Sequence, residues 1–198
     1  MVSGQGERVL IPVVEDGLES LLRATLPLST EQGDISFEPP SSTWSAQVNR
    51  LTINLFLYGV ARSSQPSRGP ATRTATNGST ERRHALPMVQ LSYLVSGWAG
   101  SSRDEHLLLG DALTRLLAHQ VLPGEHLPRP LSSTVQLALA PDDHNRPRDV
   151  WSGLGGSLKA SFTLLVTVAA DAYDWEAAAP EVTSVSGSAV PIRAGVSP

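Results

Sequence analysis

The sequence predicts an α+β fold, in which a mainly antiparallel sheet carries two helices packed on one face and an extended C-terminal tail follows. Two stretches of the 198 residues repeat apolar side chains at spacings of three and four, which is typical of amphipathic helices. Other stretches alternate apolar and polar residues with a period of two, which is typical of half-buried strands. The order is helix, strands, helix, strands, and this order favours helices segregated to one face of a sheet.

The first predicted element is a helix over residues 11–25. Pro12 occupies a favourable position in the first turn, and Pro27 prevents the helix from continuing. Gly17 interrupts the pattern at a cost of about 1 kcal/mol relative to alanine. A short strand is expected at 35–38, before two consecutive prolines. The apolar stripe of the helix consists of Ile11, Val14, Leu18, Leu21, Leu22 and Leu26.

Two long strands are expected in the middle of the chain, over residues 51–60 and 88–98, because apolar and polar residues alternate there. Between them lies a long polar loop, residues 61–87, rich in Ser, Thr, Pro and Gly. The loop carries five arginines against a single acidic residue, Glu81. Loops of this length without secondary structure of their own are usually functional or disordered.

The remaining elements lie in the C-terminal half. A helix is expected to begin at Ser101 or Ser102, either of which can cap its first turn. A strand follows at 135–140, then a single helical turn around Trp151, and then a long strand at 157–170.

The chain divides into one domain, residues 1–171, and a tail, residues 172–198. The tail contains prolines, small residues and scattered valines, among them Val182 and Val185. It shows no helical or core pattern, so we expect an extended segment with little structure of its own.

Composition excludes several classes of function. The chain has no cysteine, which excludes disulfides, thiolate zinc sites and cysteine nucleophiles. A net charge of −4 argues against general binding to nucleic acid. We expect a cytoplasmic protein that does not enter membranes, because no signal peptide or membrane-length apolar run is present. Of the 15 basic residues, 14 are arginine, which suits protein interfaces, although a GC-rich genome also favours arginine codons.

No catalytic, cofactor or metal motif stands out. The five histidines form no H-E-x-x-H pattern, and Asp142-Asp143-His144 is typical of a solvated turn. Gly153-Leu-Gly155-Gly156 is too short for a dinucleotide-binding loop, and neither a G-x-S-x-G nor a G-K-[ST] motif is present. A scattered catalytic triad stays open, because its members converge only in three dimensions. We therefore predict a protein that is not an enzyme and has no cofactor or metal.

Four stretches, in order along the chain, resemble a known family. Residues 50–60 are similar to its first core strand, and residues 87–96 to its P-x-L-x-L-x-Y-L strand. Residues 105–117 resemble its helix, and Asp149-Val-Trp151 resembles its final segment. The family is that of the tail-terminator or cap proteins of phage-tail-like contractile injection systems, and the resemblance covers residues 9–171.

The resemblance implies a structural part rather than an enzyme. Family members form a sixfold ring on the last layer of the inner tube, stop tube and sheath growth and anchor the last sheath ring. The implied partners are the inner tube protein, the sheath protein and further copies of the chain, with no nucleic acid and no membrane. A terminator or neck protein of a contractile phage tail is the alternative within the same class. A small α+β hydrolase or ligand-binding domain is the alternative outside it.

Two partner-binding hypotheses follow for this chain. The loop arginines would dock on an acidic surface of the tube or of a neighbouring subunit, and a solvated hairpin loop is the alternative. The tail around Val182 and Val185 would add a strand to a sheath subunit, and a floppy terminus is the alternative. The loop residues in question are Arg68, Arg73, Arg82 and Arg83.

Overall fold

The computed structural model describes residues 10–28, 31–141, 147–155 and 158–179. Two helices are long, α1 (Leu10–Thr25) and α3 (Ser102–Leu117), and each has 16 residues. The shorter helical elements are α2 (Ser42–Ser45), a 3-10 turn (Gly124–His126) and α4 (Pro147–Leu154). The strands are β1 (Gly33–Ser36), β2 (Leu51–Arg62), β3 (Ala71–Thr74), β4 (Thr80–Arg83), β5 (Met88–Trp98), β6 (Val121–Leu122), β7 (Val135–Leu139), β8 (Ser161–Ala169) and β9 (Glu176–Ala177).

Six strands form the main sheet in the order β1-β2-β5-β8-β7-β6. Only β1 pairs in parallel, with β2, and the other four pairings are antiparallel. Strand β2 is paired with β5 along its length and contains a bulge between Leu57 and Gly59. The predicted α+β class with a mainly antiparallel sheet is confirmed.

Both long helices pack on one face of this sheet, as predicted. Helix α1 buries Val14, Leu18 and Leu21, and α3 buries Ala112 and Leu116 in the same core. The sheet contributes the alternating apolar side chains of its three central strands, which the period-two pattern places on that face. These side chains are Ile53, Leu55, Leu91, Tyr93, Val95, Leu164, Val166 and Val168.

The opposite face of the sheet is more polar, although it also buries Leu94 and Met88 of β5. Its buried polar positions are Thr52, Asn54, Ser92, Ser96, Thr163 and Thr167. At the end where β5 terminates, tryptophans from three elements meet. The Trp98 ring lies 5.0 Å from Trp44 of α2 and 6.3 Å from Trp151 of α4, measured between ring centres. This tryptophan cluster ties both short helices to the sheet.

Glycine permits two close approaches in the core. A Cβ added at Gly97 would lie 2.7 Å from the carbonyl oxygen of Glu105, so α3 can approach β5 only without a side chain there. A Cβ at Gly17 would lie 2.8 Å from methyl groups of Leu122 and Leu127. Helix α1 continues through Gly17, and the missing side chain at this position lets α1 pack closely against Leu122 and Leu127, in the segment that follows α3.

The predicted loop 61–87 has secondary structure of its own. Strand β2 continues to Arg62, and β3 and β4 form an antiparallel hairpin. The hairpin turn contains Gly78 at φ 81°, a conformation that favours glycine. At the base of the loop, Arg68 and Leu86 form an isolated bridge with two backbone hydrogen bonds. Strands β3 and β4 were not expected within this loop, because their residues, mostly Thr and Arg, pair without any apolar face.

Several boundaries also differ from the prediction. The first strand, Gly33–Ser36, begins two residues earlier than expected, and the last long strand is limited to Ser161–Ala169. The single turn around Trp151 is the longer helix Pro147–Leu154. Strand β9 lies in the segment expected to lack structure. None of the helices in the described ranges is both long and apolar enough to cross a bilayer.

Candidate functional site

The hairpin of β3 and β4 sorts its arginines onto two faces. Arg73 lies opposite Glu81, and Arg83 lies opposite Ala71. Because side chains alternate along a strand, Arg73 and Arg83 share one face of the hairpin and Arg82 lies on the other. The sequence places all these residues in one polar loop, but the pairing register separates them.

The Trp175 ring contacts both arginines that share a face. The guanidinium carbon of Arg73 lies 4.4 Å from the centre of the Trp175 ring, and that of Arg83 lies 4.7 Å from it. Both distances are within the range of cation–π attraction, and tryptophan is the best aromatic partner for it. We call these three residues the Arg–Trp clamp.

Further polar contacts fix the arginines of the clamp. Arg73 donates from Nε to Glu81 at 2.7 Å. Arg83 donates from Nη1 to Asp171 at 3.1 Å and to Ser132 at 3.2 Å. The Arg83 side chain is only 14% exposed, and its buried Nε finds no hydrogen-bond acceptor among the described residues. The electron-rich face of Trp175 is therefore a substantial part of the environment of this cation.

Backbone pairing also links the C-terminal segment to the hairpin. Strand β9 pairs antiparallel with β4, so that Glu81 lies opposite Ala177, and Ala178 donates its N–H to the carbonyl of Thr80 at 2.9 Å. The three strands form a small second sheet in the order β3-β4-β9. Edge-on stacking of His84 and Tyr173, with ring centres 5.6 Å apart, adds a further contact between loop and tail.

The other two predicted arginines lie at the protein surface. Arg68 and Arg82 are exposed. Within the described part of the chain, neither side chain forms a hydrogen bond or ion pair, whereas Arg73 and Arg83 are held by the protein itself. The structure thus divides the four predicted arginines into two that are bound by other side chains of the protein, of which Arg73 is still 51% exposed, and two that are not bound by any described side chain. Val182 and Val185 lie outside the described residues.

The sequence prediction missed Trp175 and Asp171. A signal for them was present, because Asp171-Ala-Tyr-Asp-Trp-Glu176 follows the last long strand and combines three acidic residues with two aromatic ones. Such a segment complements a loop rich in arginine, in both charge and stacking capacity. Because Arg73 and Trp175 lie far apart in the sequence, no local pattern indicates their cation–π contact.

A second polar site lies beside the tryptophan cluster. A groove of about 560 Å³ there is lined by Arg50, Trp98, Glu105 and Lys159, among others. Its charges are matched: Lys159 pairs with Glu105, and Arg50 pairs with Asp34 at 3.1 Å. Mutually paired charges hold neighbouring elements together, and this arrangement leaves neither Glu105 nor Lys159 as an unpartnered acid or base.

The histidines do not converge in the described ranges. No group of three metal-ligating side chains is found there. His126 accepts or donates a hydrogen bond at 3.0 Å between its Nδ1 and the Ser20 hydroxyl, which links α1 to the 3-10 turn. His84 instead faces Glu176, at 3.8 Å. The predicted turn at Asp142-Asp143-His144 lies outside the described residues.

Comparisons with known proteins identify relatives of the whole domain. Residues 13–184 match the sequence model of a family described as the Pvc16 N-terminal domain. No curated protein matches by sequence.

Two solved structures share the fold. The first is a cryo-EM structure of the sheath/tube terminator, in its extended state, of PVC, an extracellular contractile injection system. It has a TM-score of 0.68 and 21% identity, and the match covers 96% of this chain and 66% of that one. The second is a cryo-EM structure of the tube-terminating cap of the anti-feeding prophage. It has a TM-score of 0.64 and 18% identity, with 91% and 62% covered. The chain thus spans slightly less than two thirds of either protein.

Proposed function

The chain belongs to the Pvc16 N-terminal domain family, and from this premise we propose that it is the subunit of a cap that closes the inner tube of a contractile injection system. The cap ends the growth of tube and sheath and anchors the last sheath layer. The observation that carries the proposal is the shared fold over 96% of the chain with a protein described as a sheath/tube terminator. The second structural relative, described as a tube-terminating cap, has the same role in its name.

The proposed cap is a ring of identical subunits, six in number. Each subunit meets two neighbours through different surfaces, and such heterologous contacts close into a ring when the rotation between subunits allows it. The ring assembles in the cytoplasm of the producing cell. The role requires contacts rather than chemistry, so we propose no catalytic, cofactor or metal site.

Arg68 and Arg82 are the residues that we propose for docking. They are exposed, and their side chains form no hydrogen bond or ion pair with a described residue, although Glu176 lies opposite Arg82 in the pairing of β4 with β9. Arginine makes forked contacts with carboxylates and is enriched at protein interfaces. An acidic surface on the tube or on a neighbouring subunit is the complementary partner. Arg73 and Arg83 would support this surface from within the hairpin.

The tail supplies the second proposed contact. An extended segment around Val182 and Val185 would add a strand to the exposed sheet edge of a sheath subunit, with affinity from backbone hydrogen bonds. A deletion that tests this contact should begin at residue 180, because a cut at 173 also removes Trp175 and β9.

Length control is the test of the proposed function. Tubes and sheaths are assembled from purified proteins with the wild-type chain or without it, and their lengths are measured by electron microscopy. The proposal expects capped particles of limited length with the chain, and open-ended growth without it. Equal length distributions would contradict it.

Charge reversal tests the docking residues. In the same assay, the double variant R68E/R82E should lose capping and keep the wild-type unfolding curve. The matched control is R103E, which reverses an exposed arginine in the first turn of α3 and should cap normally. Normal capping by R68E/R82E would remove these residues from the interface.

Oligomer mass tests the number of subunits in the ring, and genomic context distinguishes an injection system from a contractile phage tail. Native mass spectrometry of the isolated protein or of caps released from particles should show six copies. Genes for sheath, tube and baseplate without capsid genes would favour an injection system, whereas adjacent capsid genes would favour the neck of a contractile phage tail.

A further inference from the structure

The Arg–Trp clamp joins two regions that the proposed function uses separately. One is the hairpin, which carries Arg82 on its outer face, and the other is the C-terminal segment, which leads toward the tail. We infer that Trp175 is a positioning residue: in contact with both Arg73 and Arg83, it makes the hairpin and the C-terminal segment one rigid docking unit. This inference rests on the proposed function.

Three kinds of contact support the coupling, and each arises from different atoms. The indole ring is stacked by two guanidinium groups, at 4.4 and 4.7 Å. The backbone of β9 is paired with β4. Asp171, at the start of the segment, forms an ion pair with Arg83. The segment is therefore held at its beginning, its middle and its end.

The pairing of β9 places the last described residues of the C-terminal segment. Ala178 is hydrogen-bonded to Thr80, so the last described residues lie beside the hairpin. Without Trp175, the segment would be held by a two-residue strand, by the Asp171–Arg83 ion pair and by the His84–Tyr173 contact, and strand pairing of that length is weak in water. A tail that leaves from the hairpin contacts a sheath subunit only where the hairpin has docked. The hairpin and the C-terminal segment then contact the tube and the sheath as one unit.

A series at position 175 separates stacking from simple packing. W175L keeps an apolar side chain but removes the aromatic face, whereas W175F keeps an aromatic face. Hydrogen exchange of the Ala178 amide reports whether β9 stays on β4. We expect loss of its protection in W175L and retention in W175F. Retained protection in W175L would overturn the role of the clamp.

A disulfide offers a rescue that does not depend on the indole. Ala178 bonds to Thr80 on one side of the Glu81–Ala177 pair, so these two residues form a non-hydrogen-bonded pair, in which the Cα atoms come closest. This spacing suits a disulfide. The chain has no cysteine of its own, so the pair E81C/A177C would be the only thiols present.

The closing experiment combines these variants in the assembly assay. W175L should cap tubes but lose sheath attachment, to the extent seen when residues 180–198 are deleted. Oxidised E81C/A177C in the W175L background should restore attachment, and reduction should remove it again. Attachment that stays normal in W175L, or is not restored by the oxidised pair, would overturn the inference. Failure of the wild-type chain to cap tubes would overturn the proposed function. Hydrogen exchange of the Ala178 amide needs no assembled particle, so it would still test whether Trp175 couples the C-terminal segment to the hairpin.

Discussion

The Nζ atom of Lys159 lies 4.3 Å from the centre of the Trp98 ring, and Lys159 is the only lysine in the chain. The same ammonium group forms an ion pair with Glu105 of α3. The two charged side chains are only 22% and 18% exposed. Lys159 thus connects the segment that precedes β8 with the tryptophan cluster and with α3.

Replacing Lys159 by methionine should therefore lower the free energy of unfolding by about 2 kcal/mol, because a cation–π contact is lost and a partly buried carboxylate is left without its partner. Urea unfolding measures the change. The double variant K159M/E105Q should recover part of the loss, since it removes the unpaired charge. A change in K159M below about 0.5 kcal/mol would show that the pair behaves as an ordinary surface ion pair.

The regular elements were predictable from the sequence because their signals are local. The stripe of α1 and the alternation over Leu51–Val60 follow directly from which side chains face the core. The hairpin of β3 and β4 was missed because it has no such local signal. Residues 71–74 and 80–83 have no apolar face, so periodicity carries no signal there, and only pairing across a turn reveals the strands.

The candidate site was predicted in part. Composition indicated the arginine-rich loop, but composition does not separate Arg82 from Arg83, which are adjacent in sequence and opposite in environment. That difference depends on the β4 register and on Trp175, which lies 92 positions beyond Arg83 in the sequence. Long-range contacts of this kind leave no trace in local periodicity.

Alanine substitutions at two glycines should change the stability of the fold in opposite directions. In G97A the new methyl group meets the backbone oxygen of Glu105 at 2.7 Å, so α3 must shift, and overpacking of this kind costs about 1–3 kcal/mol. In G110A, in the middle of α3, nothing lies within 4 Å of the new methyl group, and the substitution should stabilise by about 0.5–1 kcal/mol. Chemical denaturation of both variants measures the contrast. Equal shifts in the same direction would contradict the close approach at Gly97.

The start of α3 provides a comparison of two neighbouring serines. The sequence left open whether Ser101 or Ser102 caps the helix, and the structure shows the Ser101 hydroxyl accepting the N–H of Asp104 at 3.2 Å. We expect S101A to lose about 1 kcal/mol of stability. S102A, one residue inside the helix, should stay within about 0.5 kcal/mol. The two midpoints of thermal unfolding provide the measurement, and an effect confined to S102A would contradict the assignment of the cap.

Glu15 gives the fold a defined pH dependence. Burial raises the pKa of Glu15 above its ordinary value; the hydrogen bond from the buried Tyr93 lowers it in part, and Asp16 raises it further. The folded protein therefore holds the Glu15 proton more tightly than the unfolded chain. The stability from this group is fully present below the ordinary carboxyl pKa and is lost as pH rises through the higher folded pKa.

The variant E15Q keeps an acceptor for Tyr93 and removes the titration. Its free energy of unfolding should fall less steeply than that of the wild type between the ordinary carboxyl pKa and neutral pH. Urea unfolding at several pH values in this window measures the difference between the two proteins. Parallel curves would show that Glu15 does not carry this pH dependence.

Arg82 and Arg83 should separate binding from stability. Arg83 is held by Asp171, Ser132 and Trp175, and its side chain is only 14% exposed. R83A should therefore cost about 1–3 kcal/mol, because it removes charge-assisted hydrogen bonds and leaves Asp171 without its partner. R82A removes an exposed side chain and should stay within about 0.5 kcal/mol. Hydrogen exchange localises the effect: R83A should expose the Ala178 amide, and R82A should not. Equal protection in both variants would mean that β9 pairs with β4 without the help of Arg83, so that the hairpin holds the C-terminal segment by its backbone alone.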